Sequence, residues 1–400
     1  MSLLWLVGLW LVGLVLAEPA AGDAAPPELQ APEEPSDGGF AGIVAPLIAY
    51  DTNLLLGLGA FGQVVGAEPS GSRPFRFSVI AQIYATTGGY QDHSLQWDLP
   101  GIGGSPVRWS GRVRYLRWTR AGYYGLGNDT LLVDGGSEAT LWESLRPNLS
   151  NTLRIRVGPG AWEVYGSGLI VAQGVEADPE SRLSLDRPTG VGGGLLTALT
   201  LGLFHNTRDN EIDPTSGHTI DVALYGSAPV IASHYTYVGI HTAARAFHPL
   251  RPSLVAAGHA LVEAATTGEP FFQQTRLDGL SLGTTGGRYL LRGLAEGRLQ
   301  GNGVAALQGE LRWTFARTLW FGSLELGWML VPFADVGQVW TWDEPRIRLD
   351  PHLTGGSGLR INVEGLLVLR GDVGFALERY ADEPLRRLQP QIYLLSEHPF

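Results

Sequence analysis

Several stretches of the chain alternate apolar and polar residues strictly, and arginines and acids fill much of the polar parity. Over 107–115, Val107, Trp109, Gly111, Val113 and Tyr115 hold one parity, and Arg108, Ser110, Arg112 and Arg114 hold the other. Leu153, Ile155 and Val157 alternate with Thr152, Arg154 and Arg156, and 308–315 runs Gln-Gly-Glu-Leu-Arg-Trp-Thr-Phe. Near the end, Leu359, Ile361, Val363, Leu367, Leu369, Val373, Phe375 and Leu377 oppose Arg360, Asn362, Glu364, Arg370, Asp372 and Glu378. A period of two is the signature of a strand with one apolar and one polar face. No window sustains a helical period, so the fold class is all-β.

Periodicity alone leaves two architectures open. A soluble sandwich turns its apolar face inward, whereas a membrane barrel turns that face to lipid and its charged face to a wet lumen. The arginines, the 12 Trp available for interface girdles, the absence of Cys and an apolar N-terminal run all favour the barrel. With 17% charged residues the chain is too polar for a helical membrane bundle. The apolar run, Leu3 to Leu16, is short for a membrane helix and ends in Val15-Leu16-Ala17, so residues 1–17 read as a cleaved signal peptide. Residues 18–40 read as a disordered, acidic Pro/Ala-rich linker on the periplasmic side, and 41–400 as one barrel. At roughly 10 residues per strand plus turns, the chain accommodates about 12 to 16 strands.

A net charge of −11 argues against nucleic acid as a partner, and the barrel reading makes outer-membrane lipids the expected surroundings. None of the 28 basic residues is Lys, and Arg suits a lumen where paired charges hold shape. The enzyme-like signals carry little. Gly57-Leu58-Gly59-Ala60-Phe61-Gly62 matches a dinucleotide fingerprint by letter, but no βαβ unit surrounds it, so it reads as strand glycines. The nine His lack metal-ligand spacing, and Ser233-His234 are adjacent and point to opposite strand faces. The expectation is no cofactor, no metal and no enzymatic activity.

Ordered motifs add a resemblance. The segment 205–217, with Thr207-Arg208-Asp209, Pro214 and Gly217, resembles the "DTRD…P…G" hairpin of the bacterial surface antigen family, the barrel of BamA/TamA-type outer-membrane proteins. Leu291-Arg292-Gly293 resembles its "RGY/RGF" loop tip, Phe333-x-Asp335-x-Gly337 its "F-x-D-x-G" strand, and Tyr123 to Asn128 its "YYGLGN" turn. Pro270-Phe271-Phe272, 309–312 and Phe400 follow in the family's order, and the likeness covers about Tyr50 to Phe400.

The resemblance implies a sixteen-stranded antiparallel transmembrane barrel with an extracellular loop folded into the lumen. Three departures stand out: Leu294 replaces the aromatic after Arg292-Gly293, Pro399 precedes the terminal Phe400, and residues 18–39 leave no room for periplasmic POTRA domains.

Residue chemistry and resemblance together predict a lock. Arg292 on the inward loop is expected to meet Asp335 on an inward strand face, with Gly293, Gly337 and Glu310 beside them, because a bidentate pair fixes a loop better than a surface ion pair does; the alternative is that the two charges are separately solvated in a wet pore. Arg112, Arg154, Arg208, Asp209, Arg312 and Arg370 are expected to form a structural lumen network. The first strand is placed near Gly42–Asp51 and the last near Gln391–Phe400. Pro46 and Pro399 should thin the hydrogen bonds of their seam, with Phe400 as assembly signal. Two functions remain open: assembly or translocation of client outer-membrane proteins through an opening seam, with a separate POTRA-containing or lipoprotein partner; or a passive pore or structural barrel that handles no protein.

Overall fold

The computed structural model describes residues 39–52, 54–66, 75–132, 138–158, 160–274, 276, 285, 287–320, 324–343, 349–363, 367–379 and 387–395. The expected signal peptide, nearly all of the linker, Pro399 and Phe400 lie outside these residues.

The alternating stretches form one closed antiparallel sheet. In chain order its strands are β1 Phe40–Asp51, β2 Leu55–Gly66, β3 Phe77–Thr86, β4 Tyr90–Pro100, β5 Val107–Gly122, β6 Leu141–Leu145, β7 Asn148–Arg156 and β8 Trp162–Ala177. There follow β9 Gly194–Asn206, β10 Gly217–Ser227, β11 Tyr237–Arg251, β12 Leu254–Ala265, β13 Gly303–Trp320, β14 Leu324–Trp340, β15 His352–Val363, β16 Leu367–Glu378 and β17 Arg387–Leu395.

β6 and β7 are two halves of one stave, since both lie between β5 and β8. The break falls at Arg146-Pro147, where proline has no N–H to give the ladder. Buried Arg146 turns inward there and donates to Gln173 (3.1 Å) and Gln273 (2.7 Å). The barrel therefore has sixteen staves, as expected.

Burial settles which face meets which medium. On β15 and β16, Leu359 and Leu377 are 41% and 52% exposed while Arg360 and Asp372 are 0% exposed. A sandwich would show the reverse; an apolar outer surface over a charged interior is the membrane-barrel arrangement. Among the described residues no helix is long and apolar enough to cross a membrane. The fingerprint-like glycines lie inside β2.

β1 runs away from, and β17 toward, one end of the barrel, here called proximal. The distal end is capped by an aromatic cluster that includes Tyr123, Trp142, Tyr235, Phe271 and Phe272, beside the short helix α1 (Arg182–Asp186).

Candidate functional site

The chain between β12 and β13 enters the lumen and places Arg292 on the inner wall. Inward Asp335 of β14 accepts the Arg292 backbone N–H at 2.9 Å, Nε at 2.9 Å and Nη2 at 2.6 Å. Nη1 donates to Glu310 of β13 at 3.1 Å, and the guanidinium carbon lies 3.8 Å from the centroid of the Phe333 ring. All three charged residues are buried.

Glu310 is the hub. Besides Arg292 it takes Arg360 of β15 at 2.7 Å and Arg312 at 3.5 Å. Asp372 of β16 continues the network to Arg360 (3.8 Å) and Arg370 (3.6 Å). Such a cluster is tolerable inside a barrel only because each charge meets its opposite, and removing one member leaves a buried charge uncompensated.

The tip needs glycine at one place. Gly293 has φ +119°, and a Cβ there would stand 2.6 Å from the Phe375 carbonyl carbon. Gly337 serves close packing on β13, since its Cβ would lie 2.8 Å from the Ala305 oxygen. Leu294, at the family's aromatic position, is buried beside the tip. Beyond it, Arg298 holds Glu378 (3.0 Å) and the Thr130 oxygen (2.7 Å), and Gly127 of the "YYGLGN" turn donates to the Gln300 oxygen at 2.7 Å.

The seam lies next to this lock. β1 pairs with β2 along its whole length, from Phe40↔Gly66 to Asp51↔Leu55. With β17 it forms, among the described residues, a single ladder pair, Asp51↔Tyr393. Beyond that pair, the Thr52 N–H donates to the Ile392 oxygen at 3.3 Å, and the Ile392 N–H donates to Thr52 Oγ1 at 3.0 Å.

Tyr393 is fully buried, and its hydroxyl joins seam to lock. It accepts the Gly293 N–H at 3.2 Å and donates to the Leu294 oxygen at 3.1 Å. Sequence reasoning missed Tyr393; its place opposite Asp51 follows from a register that only the closed barrel specifies.

The motif hairpin joins β9 to β10 at the proximal end. Gly217 has φ +92°, and a side chain there would collide with the Thr207 carbonyl. Pro214 is buried. Asp209, expected among the lumen charges, instead staples the turn from an exposed position. It accepts the N–H groups of Asn210 (3.0 Å), Thr215 (2.9 Å) and Ser216 (3.1 Å), and the Thr215 hydroxyl. Partial burial alone would raise its pKa, but the Thr215 hydroxyl and these N–H groups outweigh it and hold the carboxyl below the usual range.

The reach across the lumen belongs to two acids that sequence reasoning passed over. Glu211 takes both Arg108 Nη atoms of β5 at 3.1 Å. Asp213 accepts from Asn362 of β15 and lies 4.0 Å from Arg312 of β13. The hairpin is thus a crossbar between distant staves. The acids sit at 209, 211 and 213, a spacing that was visible in the sequence without its partners.

A family profile described as the Omp85 superfamily domain matches residues 81–392. Two solved structures share the fold. BamA from Haemophilus ducreyi lacking POTRA domains 1-3 is 14% identical, with TM-score 0.58, over 90% of this chain and 70% of that one. CdiB from Escherichia coli is 14% identical, with TM-score 0.58, over 92% of this chain and 63% of that one, so this chain spans less than two thirds of CdiB. No curated protein sequence matches.

Proposed function

This chain belongs to the Omp85 superfamily and is a bacterial outer-membrane β-barrel; from that premise we propose that it assembles or translocates client outer-membrane proteins through an opening seam between β1 and β17. The observation that carries this reading is the contrast between one described ladder pair at Asp51↔Tyr393 and the unbroken pairing of β1 with β2. Each main-chain hydrogen bond contributes about 0.5–1.5 kcal/mol net, and of the described residues Tyr50 and Ala49 form no ladder pair with Leu394 and Leu395, so this stretch of the seam opens at little cost. A client strand can then replace the lost bonds edge to edge.

The lock loop and the hairpin fit the same reading. They enter the lumen from opposite ends, the loop docking on the inner wall and the hairpin spanning distant staves, an arrangement that suits a chain whose working surface is the seam rather than the bore. In this account Arg292, Gly293, Glu310, Asp335 and Gly337 keep the barrel in shape while the seam parts. Arg208, Asp209, Pro214 and Gly217 build the proximal brace. The partners are outer-membrane lipids, the client and a separate POTRA-containing or lipoprotein subunit that delivers it.

The test is reconstitution. Proteoliposomes holding this barrel should accelerate folding of a urea-denatured eight-stranded outer-membrane protein relative to empty liposomes, with the partner subunit added where the gene neighbourhood supplies one. No acceleration, together with a steady ion conductance, would make it a passive pore.

A further inference from the structure

Between the hairpin crossbar and the inner wall lies a cavity of about 250 Å³, lined by Ser110, Arg154, Phe204, Arg208, Glu211, Thr219, Asp221, Ala243 and Arg245. We propose that this chamber is a binding site for a phosphate-class oxyanion, gripped by Arg208 from the hairpin and Arg245 from β11.

Three guanidiniums share the chamber, and among the described residues two of them have no acid within ion-pair distance, Glu211 and Asp221 acting on them only from farther off. Among the described residues the Arg245 side chain makes no hydrogen bond or ion pair, and its buried Nε has no partner. Among the described residues the Arg208 side chain donates only to neutral groups, the Asn206 side-chain oxygen (3.1 Å for Nε) and the Glu211 backbone oxygen (3.3 Å for Nη1). Burial, with Arg154 and Arg108 nearby, holds the Arg208 pKa below its ordinary value despite Glu211. Arg154 has Glu163 at 3.6 Å, beyond hydrogen-bond reach.

The two acids of the lining are already engaged. Glu211 is held by both Arg108 Nη atoms at 3.1 Å, and Asp221 accepts the Tyr165 hydroxyl at 2.7 Å and lies 3.6 Å from His241 Nε2. What faces the open space is therefore a surplus of donors, with the Ser110 and Thr219 hydroxyls added to the guanidiniums. Like charges around one partly desolvated space repel, and an anion between them relieves both the repulsion and the missing hydrogen bonds. Donors arriving from several staves suit a tetrahedral oxyanion better than a planar carboxylate. At about 30 Å³ per water, the volume takes a phosphate group with a few waters. Because Arg208 sits on the hairpin and Arg245 on the wall, the bound anion also fastens the crossbar.

The test is calorimetric titration of the detergent-purified barrel with inorganic phosphate against chloride at equal ionic strength, with the heat-dependent gel shift as a second readout. Saturable phosphate binding that raises the gel-shift midpoint is expected. Arg208→Gln and Arg245→Gln should each weaken it about tenfold or more, the effect of losing one charge-assisted bond or more, while Arg317→Gln on the exposed outer rim leaves it unchanged. Arg208→Gln lies in the hairpin and decides the matter if Arg245→Gln does not fold. Dihexanoyl phosphatidic acid identifies the source: tighter binding than inorganic phosphate assigns the site to a lipid headgroup, and the reverse to free phosphate. No phosphate effect beyond chloride, equal binding of acetate, or full binding by Arg208→Gln would overturn the proposal.

Discussion

Asp335→Ala removes the acceptor of three hydrogen bonds from one residue and leaves Arg292 buried with Glu310 and the Phe333 ring as company. Hydrogen bonds to charged groups contribute about 1.5–3 kcal/mol each, but they share one ion pair and do not add. Breaking a buried pair costs about 3–5 kcal/mol, and that is the expected loss. Arg292→Ala should cost about the same. It leaves Asp335 with Gln308 at 3.3 Å, while Glu310 stays neutralised by Arg360 at 2.7 Å. The double variant should lose only about 1 kcal/mol more than the worse single one, a coupling of about 2–4 kcal/mol, because the shared interaction is lost once. Urea unfolding of the barrel in liposomes, followed by the heat-dependent gel shift, reads all four proteins. Losses that add to within about 0.5 kcal/mol would refute the reasoning.

Gly293→Val should destabilise more than Gly337→Ala, since it combines a left-handed φ with a collision against the Phe375 backbone; equal unfolding midpoints would contradict this. Tyr393→Phe removes the hydroxyl that spans Gly293 and Leu294, and should speed hydrogen exchange at the lock tip and along β17 together. Faster exchange at only one of the two would show that they are not joined. For the hairpin, a depressed Asp209 pKa means that its stabilisation is present at neutral pH and is lost as pH falls through the folded value, below about 4. Proteolysis of the 207–216 turn should therefore rise in acid for the natural chain, and Asp209→Asn should be equally susceptible at every pH.

The inverted parity was legible because a strand's period is two and the lumen wants charge on every second residue. Leu359 against Arg360 shows that one step along the strand moves a side chain from lipid to the interior. The break in the sixth stave was not read. Arg146-Pro147 marks a proline in a strand, but only the two flanking ladders reveal that β6 and β7 are one stave. The residues of the Arg292–Asp335 contact were visible as motifs, whereas Arg360 and Asp372, which complete the charge around Glu310, required cross-strand register. The hairpin misled in detail: Asp209 looked like a lumen charge because its neighbours are charged, yet its short side chain satisfies the turn's own N–H groups. Glu211 and Asp213 carry the long-range contacts, to partners about 100 and 150 positions away.

The central claim is that the seam parts during function, and a chain without cysteine allows it to be tested directly. Thr52→Cys with Ile392→Cys places two thiols across the seam, one step beyond the Asp51↔Tyr393 pair. In proteoliposomes the oxidised double variant should lose its acceleration of client folding and regain it on reduction, with ion conductance unchanged throughout. An oxidised barrel that still accelerates folding as well as the natural chain would contradict the opening seam.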